Sequence, residues 1–332
     1  MFLTAFKRCP LCQGPIEDRA SESEQFSIAK CPQCDHQFLN LKTGDVLDIA
    51  SLYSQENYYS ELGGSGMTSE GYVNNGLNDG LSNFYFNIRL KPLAKLLPSN
   101  KRIDYLDYGC SAGQIVSIAK NELGWNSSGI DLSETSVNKA QQLGINVRQG
   151  AIENLLKEEN LYDAISLYHC LEHIVDPSDL LSKLRDKLKD GGLIAIEVPN
   201  IKSLPAIKNK SNWKGLLLPY HIHHFHAQSL SKLLVDSGYE IERIWTPYYP
   251  QSSSQVLNLL NIYKRFKKIF RHENSIESQR KKDTQESISL SNSNKKSKIK
   301  EKILNALYYP LDYWMAISGK GEALSVIARK RQ

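Results

Sequence analysis

The 332-residue chain carries 41 lysines and arginines against 36 aspartates and glutamates, a net charge of +5, with 41% hydrophobic residues. This is an ordinary soluble composition, and the length allows one large domain with accessories. No apolar run is long enough to span a bilayer and no secretory leader opens the chain, so a cytoplasmic protein is expected.

Cysteines dominate the first 42 residues. Cys9-Pro-Leu-Cys12 and Cys31-Pro-Gln-Cys34 are separated by eighteen residues, with a proline at the same place in each pair. Two such knuckles can converge four thiolates on a tetrahedral ion, which is the spacing of a structural zinc ribbon. A disulfide scaffold is the competing reading, and a cytosolic chain argues against it. Asp35 and His36 could replace a ligand, and are otherwise read as solvated neighbours of the site. Residues 43–80 form a connector rich in tyrosine and glycine, including Tyr53, Tyr58, Tyr59 and Tyr72. It is read either as a cover for a bound ligand or as a packed linker.

The most informative segment follows. Apolar Ile103–Leu106 reads as a buried strand, Asp107-Tyr-Gly109-Cys110-Ser-Ala-Gly113 as a loop, and Gln114–Ala119 as the start of a helix. Glycines at 109 and 113 let the backbone turn tightly and approach a ligand. The helix start points unpaired N–H groups at it. A second strand, Trp125–Ile130, ends at Asp131, and an acid at that tip can accept two ribose hydroxyl protons. The pattern is D-x-G-x-x-x-G, without the spacing of a dinucleotide fingerprint. Asp107 disfavours phosphate there and favours a cationic nucleoside.

Later elements keep the order. Val147–Glu153 reads as a third strand and its loop, and Tyr162–Tyr168 as a fourth strand. His169-Cys-Leu-Glu172-His173 follows. Asp176-Pro177 starts a helix with Leu180, Leu181, Leu184 and Leu188 at helical spacing, which Lys189–Gly192 ends. Leu193–Asn200 contains the fifth strand. A histidine-rich loop, Pro219–His226, precedes a helix over 229–237, with Gly238 as its stop. Glu240–Trp245 and Glu322–Arg329 read as strands six and seven.

In these ordered motifs the chain resembles class I S-adenosylmethionine (SAM)-dependent methyltransferases, in the branch of ubiquinone-type O-methyltransferases and bacterial glycan-cluster enzymes. The resemblance covers about residues 80–247 plus the final strand. It implies a Rossmann-like seven-stranded sheet of order 3-2-1-4-5-7-6, strand seven antiparallel. It implies SAM contacts from Asp107, Gly109, Cys110, Gly113 and Tyr168, with Asp131 on the ribose and Leu132 on the adenine. Relatives often hold the adenine amino group with an acid where Ala151 stands here. That contact then falls to the backbone of Ala151 and Ile152 or to Glu153. His169, Glu172 and His173 fall on one face if that segment is helical. Some relatives bind a divalent ion with an acid at the position of His169, so a metal is not expected here.

Methyl transfer to oxygen needs a base near neutrality, and His173 and His221 are the candidates. His221 and Phe225 match a His-x-x-x-Phe pattern of relatives. His221, His223, His224 and His226 could instead form a zinc site, while packing and helix-capping roles suit His224 and His226.

Between strands six and seven lies an unusual insert, residues 248–320. It holds an expected amphipathic helix over 256–270, a serine- and lysine-rich tract, and an apolar helix with Leu304, Leu307, Tyr308, Tyr313 and Trp314, kinked near Pro310. Residues 264–302 contain thirteen Lys or Arg and five Asp or Glu, a net of +8, leaving the rest of the chain at −3. The insert reads as a lid, as an element touching an anionic membrane surface through residues 255–317, or as a contact to nucleic acid. The expected acceptor is a small or carrier-linked hydroxyl compound such as a surface-glycan sugar. The rivals are an RNA methyltransferase with a zinc-ribbon reader and a non-catalytic SAM-binding scaffold.

Overall fold

A computed structural model describes residues 2–21, 26–49, 79–249 and 308–331. The chain divides into two compact units, one of residues 1–200, 214–245 and 323–332, the other of residues 201–213 and 246–322.

The first unit is built on a seven-stranded sheet. Its strands are β6 (Asp104–Tyr108), β7 (Asn126–Asp131), β8 (Val147–Gln149), β9 (Tyr162–Tyr168), β10 (Leu188–Pro199), β12 (Tyr239–Trp245) and β13 (Ala323–Lys330). The spatial order is β8-β7-β6-β9-β10-β13-β12, with β13 antiparallel to both neighbours. This is the 3-2-1-4-5-7-6 order expected from the sequence. β6, β9 and the second half of β10 are buried along nearly their whole length because helices cover both faces of the sheet.

The helices in chain order are α1 (Asp79–Tyr85), a π-helical turn (Phe86–Leu90), α2 (Lys91–Ala94), α3 (Gln114–Leu123), α4 (Glu134–Gln142), α5 (Ile152–Leu155), α6 (Pro177–Asp186), α7 (Leu204–Asn209) and α8 (Ala227–Asp236). One core layer joins Leu180, Leu181 and Leu184 of α6 to Leu230, Leu233 and Leu234 of α8 under β9 and β10. The opposite layer joins Leu90, Leu93, Ile115, Ile118 and Trp125 under β6.

One boundary differs from the sequence reading. Helix α6 stops at Asp186, and Leu188 already pairs with Tyr162 as the first residue of β10. Lys189–Gly192 form the irregular stretch before regular pairing resumes at Leu193. The Lys189 ammonium donates to Asp104 Oδ2 at 2.6 Å and Asp163 Oδ2 at 2.9 Å, which ties this stretch to the sheet. Local helical spacing at Leu188 was overridden by that pairing.

The N-terminal segment forms two small sheets. β1 (Phe2–Thr4) pairs with β5 (Val46–Asp48). β2 (Glu17–Ser21), β3 (Phe26–Lys30) and β4 (Gln37–Leu41) form a meander that a fourth strand, β11 (His223–His224), completes against β4. The ribbon and the histidine loop therefore share one sheet.

In the second unit, residues 308–317 are helical (α9), Pro310 among them. Tyr308, Asp312 and Met315 are buried, whereas Tyr309, Tyr313, Trp314 and Ile317 are exposed. The helix expected over 256–270, the basic tract, Leu304, Leu307 and the four connector tyrosines lie outside the described residues. Among the described residues, no helix is long and apolar enough to cross a membrane.

Glu197 of β10 is fully buried. Its Oε1 accepts from Arg89 Nε at 2.9 Å and Nη2 at 2.6 Å, and its Oε2 accepts from Ser325 Oγ at 2.8 Å. Removing one partner of a buried pair strands the other charge. Glu197→Ala should therefore cost about 3–5 kcal/mol in chemical denaturation, while the double change Arg89→Met, Glu197→Leu should cost less. A double variant as unstable as the single one would refute this.

Candidate active site

The loop after β6 is shaped by two left-handed glycines. Gly109 has φ +74°, and a Cβ there would stand 2.5 Å from Cys170 Sγ. Gly113 has φ +76°, and a Cβ there would stand 2.8 Å from Ile145 and Val147 methyl carbons. Gly113 is also the N-cap of α3, so the helix opens directly from the loop. Gly109 N–H donates to the Ile130 carbonyl at 2.9 Å, which draws the loop to the end of β7.

Asp131 terminates β7. Its Oδ2 accepts from Ser111 N–H at 2.7 Å and its Oδ1 from Ser133 N–H at 2.9 Å. Two backbone donors thus aim the carboxylate while each oxygen keeps a further lone pair for a hydroxyl. Burial raises its pKa, which those two donors oppose. Ser133 caps α4 through Ser136 N–H at 3.3 Å, as expected. Leu132 is exposed beside it. Ala151 precedes α5, where Ile152 is buried and Glu153 exposed.

Asp107 lies beneath the loop rather than in it. It is buried, and its Oδ1 accepts from Ser166 Oγ at 2.6 Å. Burial raises its pKa to about 7. Cys110 is buried, and its thiol is pushed up by that burial. Tyr168 ends β9 with Arg89 over its ring at 4.8 Å.

Beyond β9 the chain turns at His169, φ +54°, into the short 3-10 helix Leu171–His173. Glu172 is fully buried, and neither carboxylate oxygen has an aligned hydrogen-bond partner. Histidines surround it. His169 Nδ1 lies 3.4 Å and His221 Nε2 4.0 Å from Oε1. The rings of His173 and His221 meet edge to face at 4.7 Å. His173 Nδ1 is 3.0 Å from the Tyr220 carbonyl and His221 Nδ1 2.8 Å from the Gly215 carbonyl. A carbonyl only accepts, so both rings donate from Nδ1 and carry their acceptor lone pair on Nε2. Burial lowers both pKa values, that of His221 to about 4. Both rings are therefore neutral at pH 7. The structure brings together the two expected base candidates, although 47 residues separate Tyr220 from His173. Ligand atoms of Glu172, His173 and His221 lie within 4.8 Å of one another, a spacing that a cation could also use.

His169 links two carboxylates, with Nδ1 toward Glu172 and Nε2 3.4 Å from Glu197 Oε1. Burial opposes its charged form, but the two acids outweigh burial and raise its pKa to about 9. The same contact outweighs burial at Glu172 and lowers that acid to about 2. Sequence reading passed over Arg89 and Glu197. The available signal was an acid inside the apolar run Leu193–Val198, which a buried strand tolerates only with a partner.

The four ribbon cysteines converge. Cys9 Sγ is 3.6 Å from Cys34 Sγ and Cys12 Sγ is 3.5 Å from Cys31 Sγ, with all four sulfurs within 4.8 Å. These distances exceed any disulfide bond. A tetrahedral ion with metal–sulfur bonds of about 2.3 Å spaces its thiolates about 3.8 Å apart, so the four fit such an ion. The knuckles are equivalent turns. Cys9 N–H donates to Gly14 O at 3.0 Å and Cys31 N–H to His36 O at 2.9 Å. Gln13 and Asp35, at matching places, both have φ +58°.

The four-histidine zinc site does not form. Among the described residues the only ligand groups are the four cysteines and Glu172 with His173 and His221. Strand alternation sends His223 and His224 to opposite faces. His223 and His226 bond to the ribbon instead, and His226 is the N-cap residue of α8.

His169 gives a pH test. Its pKa is raised from 6.5 to about 9, so its ion pairs stabilise fully below pH 6.5 and are lost as pH rises through 9. The ring is 40% exposed, so solvent screens part of the effect. Wild-type thermal midpoints should fall between pH 6.5 and 9, and His169→Gln should flatten that decline. An unchanged slope in the variant would exclude the assignment.

Comparison with known proteins agrees with this geometry. Residues 83–244 match the family described as "Methyltransferase domain". The ubiquinone biosynthesis O-methyltransferase of Coxiella burnetii is 33% identical over 101 residues, 29% of this chain and 43% of that protein. A probable S-adenosylmethionine-dependent methyltransferase of Mycolicibacterium smegmatis is 25% identical over 146 residues, 42% of this chain and 52% of that protein. The chain thus spans about half the length of these curated relatives. Phosphoethanolamine N-methyltransferase 2 of Haemonchus contortus, solved with S-adenosyl-L-methionine, superimposes with a TM-score of 0.49 at 17% identity, over 89% of this chain and 63% of that one. Residues 83–244 thus resemble a methyltransferase domain, and the strand order of the seven-stranded sheet is the Rossmann-like one expected for such a domain.

Proposed function

We propose that this chain transfers a methyl group from SAM to a hydroxyl of a small or carrier-linked acceptor, such as a sugar of a surface glycan. The observation that carries the reading is the pairing of two sites on one sheet edge. The Gly109–Gly113 loop and Asp131 suit a nucleoside, and Glu172 with two neutral histidines lies past the end of the adjacent strand β9. Bound SAM supplies an electrophilic methyl on a sulfonium. The protein's share is orientation and proton removal. His221 is held by the Gly215 carbonyl in the tautomer whose Nε2 accepts a proton. The acceptor hydroxyl gives its proton to that nitrogen as its oxygen takes the methyl. The resulting imidazolium faces the Glu172 carboxylate, 4.0 Å away, which lowers the cost of charging the ring. His173 donates from Nδ1 to the Tyr220 carbonyl at 3.0 Å, which sets the same tautomer. The glycan acceptor rests on the family likeness alone.

The ribbon is proposed to hold one structural Zn2+ on Cys9, Cys12, Cys31 and Cys34. Four thiolates leave no open coordination position, so the ion stabilises the fold and takes no part in chemistry. Burial pushes the Cys9 thiol up to about 11 without an ion, and a cation reverses that balance.

Titration with SAM and S-adenosylhomocysteine by calorimetry should show micromolar binding. Asp131→Ala should weaken it roughly 100-fold, about 2.7 kcal/mol, for two lost hydroxyl hydrogen bonds. Unchanged affinity in the variant would place the nucleoside elsewhere. Labelled methyl should then appear on glycans or lipid-linked sugars. Labelling of RNA alone would support the nucleic-acid reading, and SAM binding without transfer to any acceptor would support a scaffold. Metal analysis should find one zinc per chain, lost in Cys9→Ser, Cys12→Ser. An unchanged metal content would refute the ribbon assignment.

A further inference from the structure

The ribbon and the histidine loop are built into each other. β11 has two residues, too few to persist as an isolated strand. It exists by pairing with β4, His223 opposite Phe38 and His224 opposite Gln37. Leu39 N–H extends this pairing by donating to the Ile222 carbonyl at 2.8 Å. The Ile222 side chain is fully buried in the apolar core of the N-terminal segment, with Leu3, Leu39, Leu41 and Ile49. On its other side, Ile222 N–H donates to the Glu172 carbonyl at 2.9 Å. The residue next to His221 is thus held from two directions, by the ribbon and by the base of the site.

Side chains repeat the link. His36, two residues past Cys34, is fully buried among the rings of Phe38, Phe225 and His223, at centroid distances of 5.8, 5.2 and 5.3 Å. Its Nε2 is 3.0 Å from His223 Nδ1. His223 Nε2 is 3.4 Å from the Val175 carbonyl, so that nitrogen carries the hydrogen and Nδ1 accepts. His36 must then donate from Nε2, which leaves its Nδ1 as a bare lone pair, in keeping with the absence of any partner there. His226 Nε2 also donates to the Asp35 carbonyl at 3.1 Å, on the same knuckle.

We propose that the ribbon is a wall of the active site, and that His36 and Leu39 are positioning residues that set His221 against Glu172. The inference rests on the methyltransferase reading only for what His221 does once placed; the placement itself is tested without an acceptor. β4 spends its outer edge on β11, so that edge is unavailable for pairing with a separate partner.

The test uses the full chain with 15N-labelled histidine, reading ring nitrogens by NMR and backbone protection by hydrogen exchange. In His36→Leu, which keeps an apolar side chain but removes the donor, the ring signals of His221 and His173 should shift. Amide exchange in residues 220–224 should accelerate at least tenfold, while S-adenosylhomocysteine affinity stays within twofold. His36→Gln, whose amide reaches as far as Nε2, should restore the wild-type signals. Leu39→Ala, which only trims the core around Ile222, should give the same changes in smaller measure and decides the matter if His36→Leu does not fold. Wild-type signals and exchange in the variants, or changes that His36→Gln does not reverse, overturn the proposal. Loss of nucleoside binding in the wild-type protein would instead undo the methyltransferase reading and leave the ring and exchange data interpretable.

Discussion

Two carboxylates with no access to water, Glu172 and Glu197, constrain the carboxyl edge of this sheet. An unpaired buried charge costs several kcal/mol, so the surrounding structure must supply partners. For Glu197 they come from three parts of the chain: Arg89 from the π-helical turn, Ser325 from the antiparallel strand β13, and His169 from the turn after β9. Arg89 lies between the rings of Tyr85 and Tyr168, which fixes the guanidinium before it meets the acid. The helix before the sheet, its central strands and its last strand are thereby locked to one point. That point adjoins the loop where methyl transfer is expected.

Glu172 is the complementary case. It receives charge from His169 but no aligned hydrogen bond. His221 turns Nε2 toward it at 4.0 Å, and the ring of His173 packs edge to face on His221. Burial lowers the pKa of both rings, that of His221 to about 4, while the nearby Glu172 carboxylate opposes that shift. The Tyr220 and Gly215 carbonyls choose the tautomers, and the loop bearing them is held by the ribbon. The cysteine-bearing sheet and the loop of His221 are thus joined through Ile222, which bonds to Leu39 of β4 on one side and to the Glu172 carbonyl on the other.

Much of this was legible in the sequence because it depends on short-range patterns. Buried parallel strands must be apolar runs, and a tight turn close to a ligand demands glycine where φ is positive. The Gly109–Gly113 loop follows from those two rules, whereas the strand order came from the resemblance to a known family and the sheet bears it out. The cysteine spacing forecast the convergence of four sulfurs because each knuckle is a local turn. Leu188 was misplaced because helical spacing continued past Asp186, while pairing with Tyr162 claimed the residue for β10.

What the sequence determined by itself was the strands and helices of the sheet, the Gly109–Gly113 turn and the two cysteine knuckles, each fixed by contacts within a few residues. It also named His173 and His221 without saying that they touch. Only the tertiary structure decided that Glu172 lies beside the touching rings of His173 and His221, that Arg89 neutralises Glu197, and that the ribbon completes its sheet with the histidine loop. Arg89 and Glu197 are 108 positions apart, and Asp35 and His226 are 191 apart. No local propensity encodes such contacts; they arise because buried charges need partners and strand edges need pairing wherever the fold can supply them.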